Sequence, residues 1–162
     1  MTVHEFLRPS VENFTNSRDK VCVPNNFLNI FSACDDGWSL QTIGENSYCF
    51  KYEGKLTRAR GVEICEANNS VFPLPKDSRE NKNLFDFGVT LGFRTFWLDA
   101  SDEAEEGTWV DSAGNPLTFT AWAPNEPNGS RGENYLHYYV GELWNDRGGT
   151  GTDHVLCQKN SA

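Results

Sequence analysis

The sequence predicts an α+β fold in which two helices come early and most strands come late. Three features predict it: helix-capping residues before apolar residues at helical spacing, aromatic and β-branched runs after residue 92, and a long loop rich in Gly, Pro, Asn and acids. The chain has 162 residues, 38% of them hydrophobic and 13% aromatic, which suffices for one sizeable core. We therefore expect one domain with a short extension.

The chain is expected to divide near residue 34. Residues 1–33 show no sustained hydrophobic periodicity and are interpreted as an N-terminal arm that could serve oligomerisation, whereas residues 34–160 form the globular domain. No run approaches the roughly 20 apolar residues that span a bilayer, and the first residues lack the apolar stretch of a secretory signal. The sequence is therefore expected to be a mature form without a membrane span.

The first predicted strand covers residues 48–52, where β-favouring side chains follow a turn-forming segment. Thr57 can then cap a helix whose apolar residues recur at every third position, namely Ala59, Val62 and Cys65. This spacing predicts that Cys65 lies on the buried face of the first helix.

A second helix is predicted to begin at Asp77. The carboxylate of Asp77 can cap the helix while Glu80, three residues later, reaches back to the helix start. Leu84, together with Phe85 or Phe87, is then expected to face the core.

Further strands are predicted at residues 93–98, 108–110 and 153–157. Between them lies the region 99–146, which is far longer than the usual loop of about 4–6 residues. Within this region, alternation over residues 135–139 suggests another strand with one face in the core. Because long ordered loops usually carry function, we expect the functional site in this region.

Charge and residue content restrict the class of function. The chain has 14 Lys and Arg against 23 Asp and Glu, and the net charge of −9 argues against a nucleic-acid partner. The three histidines form no His-Glu-x-x-His pattern, and no Gly-x-Ser-x-Gly motif is present, so we do not expect an enzyme. Five scattered cysteines without a Cys-x-x-Cys pair favour an oxidising compartment and hence a secreted, extracellular protein.

Oxygen-bearing side chains cluster in the long loop. Glu126-Pro127-Asn128 is followed by Glu133 and Asn134, and then by Trp144-Asn145-Asp146. Calcium takes roughly 6–8 oxygen ligands from carboxylates, amides, carbonyls and water, and three carboxylates more than balance its charge. The set predicts a calcium site, and the competing interpretation is a turn-rich, solvated acidic loop.

Proline at position 127 suggests a specific backbone geometry. X-Pro bonds are the ones that become cis at modest cost, and a cis bond turns two successive side chains toward one point. The Glu126-Pro127 bond is therefore predicted to be cis.

Taken together, these motifs resemble the long form of the C-type lectin domain family over residues 34–157. Residues 34–38 and 48–50 look like the family's long-form start, and Trp97-Leu98 resembles its central core motif, in which Asp99 replaces the usual Gly. The residues that match the family's principal calcium and sugar site are Glu126, Asn128, Glu133, Asn145 and Asp146.

The resemblance also implies disulfide pairing. In the family pattern Cys34 pairs with Cys49, and Cys65 with Cys157, which leaves Cys22 as a candidate interchain link or an unpaired thiol. A homodimer linked through Cys22 is therefore one expectation.

A third family disulfide normally crosses the long loop, and here it is absent. Tyr135 and Gly149 stand where its cysteines would be expected. Loop order is therefore expected to rely on calcium, on packing of Tyr135, or on both.

An auxiliary calcium site is also implied by the resemblance. Its candidate ligands are Asp102, Glu106, Glu133 and Asn134. Gly129 stands where another acid often sits, so a solvated acidic loop is the alternative.

Calcium-dependent binding of glycans or glycoproteins is the implied function. In the family, the Glu-Pro-Asn order goes with mannose, fucose, glucose and N-acetylglucosamine. Two alternatives stay open: the fold could bind a protein, a mineral or ice, or it could bind galactose by stacking on an aromatic ring. The candidate aromatic residues are Tyr135, His137, Tyr138 and Tyr139.

Three asparagines lie in glycosylation acceptor patterns, namely Asn13, Asn68 and Asn128. A glycan on Asn128 would conflict with its predicted role as a ligand.

Overall fold

The computed structural model describes residues 33–162, so the predicted arm and Cys22 lie outside the described residues apart from Ala33. It confirms the α+β fold with two helices and two small antiparallel sheets. The elements in chain order are β1 Ser39–Ile43, β2 Asn46–Thr57, α1 Arg58–Ala67, α2 Ser78–Thr90, β3 Trp97–Ser101, β4 Tyr135–Val140, β5 Leu143–Arg147 and β6 Thr152–Asn160.

Two three-stranded sheets form the frame. The first has the order β1-β2-β6, so it joins the beginning and the end of the domain, with Tyr48 opposite Asn160. The second has the order β3-β4-β5. A parallel bridge joins Phe96, the residue before β3, to His154 on β6. The long loop leaves and re-enters the second sheet, which therefore positions the candidate site.

Helix α1 begins where the sequence predicts. Thr57 is the N-cap and its side chain accepts from the backbone N–H of Arg60. The helix buries Gly61 and Cys65, which are four positions apart, whereas Ala59 is exposed. The predicted three-residue spacing was therefore wrong at Ala59, because residues i and i+4 share a helix face as well as residues i and i+3.

Helix α2 also begins where predicted, with Asp77 as the N-cap. The Asp77 carboxylate accepts from the backbone N–H of Glu80 at 2.8 Å. The Glu80 carboxylate in turn accepts from the backbone N–H of Lys76 at 2.9 Å, one residue earlier than in a simple capping box. Leu84 is buried, and Phe85 and Phe87 pack against the core as partly buried residues.

The predicted later strands differ in extent. Strand β3 begins only at Trp97, so the prediction over residues 93–98 was placed too early, and residues 108–110 contribute single bridges at Val110 rather than a strand. Phe93 and Phe96 are buried and pack edge to face, 5.6 Å between ring centroids. These two aromatic side chains are therefore buried in the core, but their backbone does not form part of a β-strand. Strand β6 and strand β4 confirm the predictions at residues 153–157 and 135–139.

A buried amide joins α2 to the second sheet. Asn81 is 3% exposed, and its Oδ1 accepts from both the Tyr138 hydroxyl and the Trp144 indole N–H, each at 2.8 Å. Its Nδ2 donates to the backbone carbonyl of Glu142 at 2.8 Å. Because a buried polar group is stable only when its hydrogen bonds are made, this hub fixes the β4-β5 hairpin on α2.

Both implied disulfides are present, Cys34–Cys49 with a sequence separation of 15 and Cys65–Cys157 with a separation of 92. The longer one ties α1 to β6 inside the core, where both of its cysteines are buried. Among residues 33–162, neither helix is long and apolar enough to cross a membrane.

Candidate functional site

The segment that leads into the candidate loop is anchored on β5. The backbone N–H of Ala123 donates to the carbonyl of Trp144, and the N–H of Trp144 donates to the carbonyl of Ala121, each at 2.8 Å. Trp122 contacts the Trp144 ring edge to face at 6.1 Å between centroids. The loop therefore enters the site from a fixed position beside β5.

The predicted cis bond between Glu126 and Pro127 is present. Two residues without a glycine's freedom flank this segment in left-handed conformations, Asn125 with φ 70° and Ser130 with φ 46°. Such conformations are uncommon outside glycine and cluster at functional sites. The loop backbone is thus shaped around the Glu126-Pro127-Asn128 motif.

Asp146 clamps this loop to β5. It is 2% exposed, and its Oδ1 accepts from the backbone N–H of Asn128 at 3.1 Å while its Oδ2 accepts from that of Gly129 at 2.7 Å. An ionised carboxylate with two N–H donors makes the stronger, charge-assisted kind of hydrogen bond. Asp146 therefore brings Asn128 next to the strand that carries Asn145.

Negative charge concentrates around Glu126. Burial raises the pKa of Glu126 above its ordinary value, and the neighbouring carboxyl groups of Asp146 and Glu133 raise it further. The Oε2 atom of Glu126 is buried and has no hydrogen-bond partner among the described residues. Three adjacent acids with an unpartnered oxygen are an arrangement that a divalent cation stabilises.

Gly129 is required by the packing of Glu133. A Cβ atom built at position 129 would lie 2.2 Å from Cβ and 2.4 Å from Oε2 of Glu133. A side chain at position 129 would therefore displace Glu133 from the acidic group, which is the physical reason for glycine at that position.

Asn145 lies on β5 directly opposite His137 on β4. Its Nδ2 is 3.4 Å from the Nε2 atom of His137, and the other ring nitrogen, Nδ1, is 2.9 Å from Oδ2 of Asp153. Sequence reasoning missed Asp153, although an acidic residue at the start of a predicted buried strand is itself a signal.

The donor set fits calcium. Oxygens of carboxylates and amides are the ligands that this ion prefers, and the buried Oε2 of Glu126 is such an oxygen without a hydrogen-bond partner among the described residues. Within residues 33–162, no three His, Cys, Asp or Glu side chains are placed to hold a metal ion by themselves. The candidate set therefore depends on the amide oxygens of Asn128 and Asn145 as well. Both oxygens of its third carboxylate, Asp146, also accept hydrogen bonds from the loop backbone.

The auxiliary set lies beside a separate cavity. This cavity has a volume of about 590 Å³ and is lined by Asp102, Glu103, Ala104, Glu105, Glu106, Arg131 and Asn134. The Oδ1 atoms of Asp102 and Asn134 are buried without hydrogen-bond partners among the described residues. Glu133 is not part of the lining, so the structure places it with Glu126 and Asp146 instead.

The side chain of Tyr135 packs over Gly149. These are the two positions where the family has the cysteines of a third disulfide. A Cβ atom at position 149 would lie 2.5 Å from Cε2 of the Tyr135 ring. The guanidinium carbon of Arg58 also lies over the Tyr135 ring, 4.5 Å from the ring centroid. Aromatic packing therefore occupies the place of the bridge, one of the two ways predicted for ordering the loop.

Replacing Gly149 by Ala is expected to destabilise the domain by roughly 1–3 kcal/mol, because the added methyl group overlaps the Tyr135 ring. The matched control is Gly132→Ala, since a Cβ atom there meets nothing within 4 Å. The measurement is urea unfolding of both variants in chelator. Equal free energies of unfolding for the two variants would contradict this account of the loop.

The aromatic residues considered for galactose stacking are mostly committed to packing. Tyr138 is fully buried with its hydroxyl bound to Asn81, and His137 is 5% exposed. Tyr135 packs against Gly149 and Arg58. Only Tyr139 of these four, at 51% exposed, presents a ring to solvent.

This fold and loop define a class of protein, and the chain belongs to the C-type lectin domain family: a family model described as the lectin C-type domain matches residues 54–159. The match confirms the family that the sequence resembles. It also agrees with the expectation that the protein is not an enzyme.

Three relatives are about a fifth to a third identical to this chain over their aligned residues. Pulmonary surfactant-associated protein D of Bos taurus is 32% identical over 120 residues, which cover 73% of this chain and 32% of that protein, so this chain spans about a third of its relative's length. The mouse scavenger receptor C-type lectin carbohydrate-recognition domain matches with a TM-score of 0.70 at 20% identity, covering 80% of this chain and 98% of that one. A calcium-independent type II antifreeze protein matches with a TM-score of 0.68 at 20% identity, covering 80% and 95%. At these identities the structural likeness establishes the fold alone.

Proposed function

We propose that this domain binds carbohydrate through a calcium ion held in the loop that Asp146 clamps to β5. The observation that carries the proposal is the buried Oε2 atom of Glu126, which lies beside Asp146 and Glu133 and has no hydrogen-bond partner within residues 33–162. The proposed ligands of the ion and of the sugar are Glu126, Asn128, Glu133, Asn145 and Asp146.

The chemistry of the five side chains supports sugar binding. Bound calcium supplies a Lewis-acidic centre that two neighbouring sugar hydroxyls can reach in place of water. Each hydroxyl can then donate to a carboxylate, from Glu126 or Glu133, and one of them can accept from the amide N–H of Asn128, while Asn145 supplies its oxygen to the ion. A ligand of this kind needs two vicinal hydroxyls in the correct arrangement.

The order of donors and acceptors favours one class of sugar. Glu126 before Asn128 is the order that goes with mannose, fucose, glucose and N-acetylglucosamine in the family. The packing of Tyr138 and His137 in the core removes two of the rings proposed for galactose stacking. We therefore propose mannose-type sugars as the preferred ligands, on glycans or glycoproteins.

A second ion is proposed in the neighbouring cavity. Its ligands would be Asp102, Glu106 and Asn134, because Asp102 and Asn134 carry buried oxygens that have no hydrogen-bond partner in the part of the chain that the structure describes. Glu133, which was expected to serve both ions, is assigned here to the principal one.

The surroundings of the protein follow from its covalent structure. Two disulfides are stable in an oxidising compartment, so we propose an extracellular location. A single monosaccharide site binds weakly, and linking two sites raises the effective affinity. Oligomerisation through residues 1–33, including a disulfide at Cys22, is the proposed route.

The test is a glycan array probed in millimolar calcium and again in chelator. We expect signal on mannose-type or fucosylated glycans that disappears in chelator and little signal on terminal galactose. Binding that is equal in both buffers would contradict the calcium mechanism. Silence in both buffers would contradict sugar binding and favour a protein, mineral or ice surface as the ligand of this fold.

A further inference from the structure

His137 lies between a buried acid and a proposed calcium ligand. The ring is 5% exposed, with Nδ1 2.9 Å from Oδ2 of Asp153 and Nε2 3.4 Å from Nδ2 of Asn145. Each nitrogen of a neutral imidazole has one role, donor or acceptor, and the partner of one nitrogen decides the role of the other.

Asp153 is held as an acceptor. It is 1% exposed, and burial alone would raise its pKa, but hydrogen bonds from His137, Thr95 and the backbone N–H of His154 bring the pKa below its ordinary value. Its Oδ2 also accepts from Nη1 of Arg147 at 3.1 Å. An ionised carboxylate only accepts, so the Nδ1 atom of His137 carries a proton, and in the neutral ring Nε2 is then the acceptor.

Two acceptors then face the same side of Asn145. Besides Nε2 of His137, the backbone carbonyl of Asp146 lies 2.5 Å from the Asn145 side-chain nitrogen. A carbonyl oxygen can only accept, so the NH₂ group of Asn145 must point to this side. The Asn145 Oδ1 atom has no hydrogen-bond partner among residues 33–162 and is available as a ligand.

We propose that Asp153 and His137 are positioning residues that fix the Asn145 amide so that its carbonyl oxygen faces the calcium ion. This inference rests on the proposed function. Hydrogen-bonded partners behind a metal ligand set its orientation, and their loss typically lowers metal affinity by about 10–100-fold. Asp153 touches neither the ion nor the sugar in this account.

Asp153→Asn tests the chain of hydrogen bonds. An amide at position 153 carries no charge and keeps only one of the two acceptor oxygens, so the ring proton is no longer held on Nδ1 of His137. An Nε2–H tautomer would then set donor against donor at Asn145. We expect calcium affinity to fall about 10–100-fold. The matched control is Thr95→Val, because Thr95 donates to Oδ1 of Asp153, not to the Oδ2 that faces His137.

Two measurements decide the proposal. Titration calorimetry gives the calcium Kd of the wild-type protein and both variants, and ¹⁵N NMR gives the tautomer of His137 in the metal-free wild-type protein. We expect an Nδ1–H tautomer, a weakened Asp153→Asn variant, and a Thr95→Val variant within about twofold of the wild type. Equal affinity of Asp153→Asn and wild type, equal losses in both variants, or an Nε2–H tautomer would each overturn it.

Failure of the proposed function gives a different result. In that case the wild-type protein itself shows no calcium binding by calorimetry. The tautomer of His137 is measured without metal, so it still decides whether Asp153 sets the ring. The same NMR measurement decides the case if Asp153→Asn does not fold.

Discussion

Glu126→Gln is expected to weaken calcium binding about 100-fold. The amide keeps an oxygen of similar position but removes one of three adjacent negative charges. An interaction with a charged group contributes up to roughly 3 kcal/mol, and about 1.4 kcal/mol corresponds to a tenfold change in affinity. The measurement is the calcium Kd from titration calorimetry.

The same substitution is expected to have the opposite effect in chelator. The pKa of Glu126 is raised in the folded protein by burial and by Asp146 and Glu133, so without an ion its ionised form is less favourable in the folded protein than in the unfolded chain. Replacing it with a neutral amide removes that repulsion. Thermal stability of Glu126→Gln should therefore equal or exceed that of the wild type in chelator and fall below it in saturating calcium.

Glu66→Gln is the matched control, because Glu66 is an exposed residue of α1 outside the candidate site. It should leave both the calcium Kd and the thermal stability close to the wild-type values. If Glu126→Gln binds calcium as tightly as Glu66→Gln does, Glu126 is not a ligand. A loss of stability in chelator would show that Glu126 has a structural role instead.

Removing the Cys65–Cys157 disulfide is expected to have the largest effect on stability. In the loop-entropy model, the 92-residue separation corresponds to about 4.6 kcal/mol and the 15-residue separation of Cys34–Cys49 to about 3 kcal/mol. Domains of this size are stable by only about 5–15 kcal/mol, so loss of the longer bridge removes a large share of the total.

The measurement is urea unfolding of two double variants. One variant carries Cys65→Ala with Cys157→Ala, and the other carries Cys34→Ala with Cys49→Ala. The free energy of unfolding should fall more in the variant that lacks the longer bridge. The cysteines of this bridge are also fully buried between α1 and β6, so their replacement leaves less packing in the core. Equal losses would contradict the loop-entropy ranking.

Local features of the fold were predictable because their causes are local. A Thr or Asp side chain can satisfy backbone N–H groups only within its own first turn, so the caps at Thr57 and Asp77 follow from the sequence. Strand limits were less predictable. Phe93 and Phe96 carry β-favouring side chains, but their packing against other elements, not their propensity, decides that the ladder begins at Trp97.

Part of the candidate site was also predictable from short segments of the sequence. The oxygen-rich motifs at residues 126–128 and 144–146 predicted a calcium site, and the cis bond at Glu126-Pro127 was predictable in part because proline lowers the cost of the cis form. Glu133 was predicted as a ligand of both the principal and the auxiliary calcium site, because its position in the sequence does not determine which cavity its side chain faces.

The sequence by itself determined the class of fold, both helix starts and the candidate ligands, because capping, periodicity and side-chain chemistry are properties of short segments. Only the tertiary structure decided that Tyr135 packs on Gly149, that Asp146 clamps the loop, and that Asp153 lies behind His137 and Asn145. These contacts join residues from different strands and loops. Their partners are selected by burial and hydrogen-bond satisfaction across the whole domain, which no local pattern encodes.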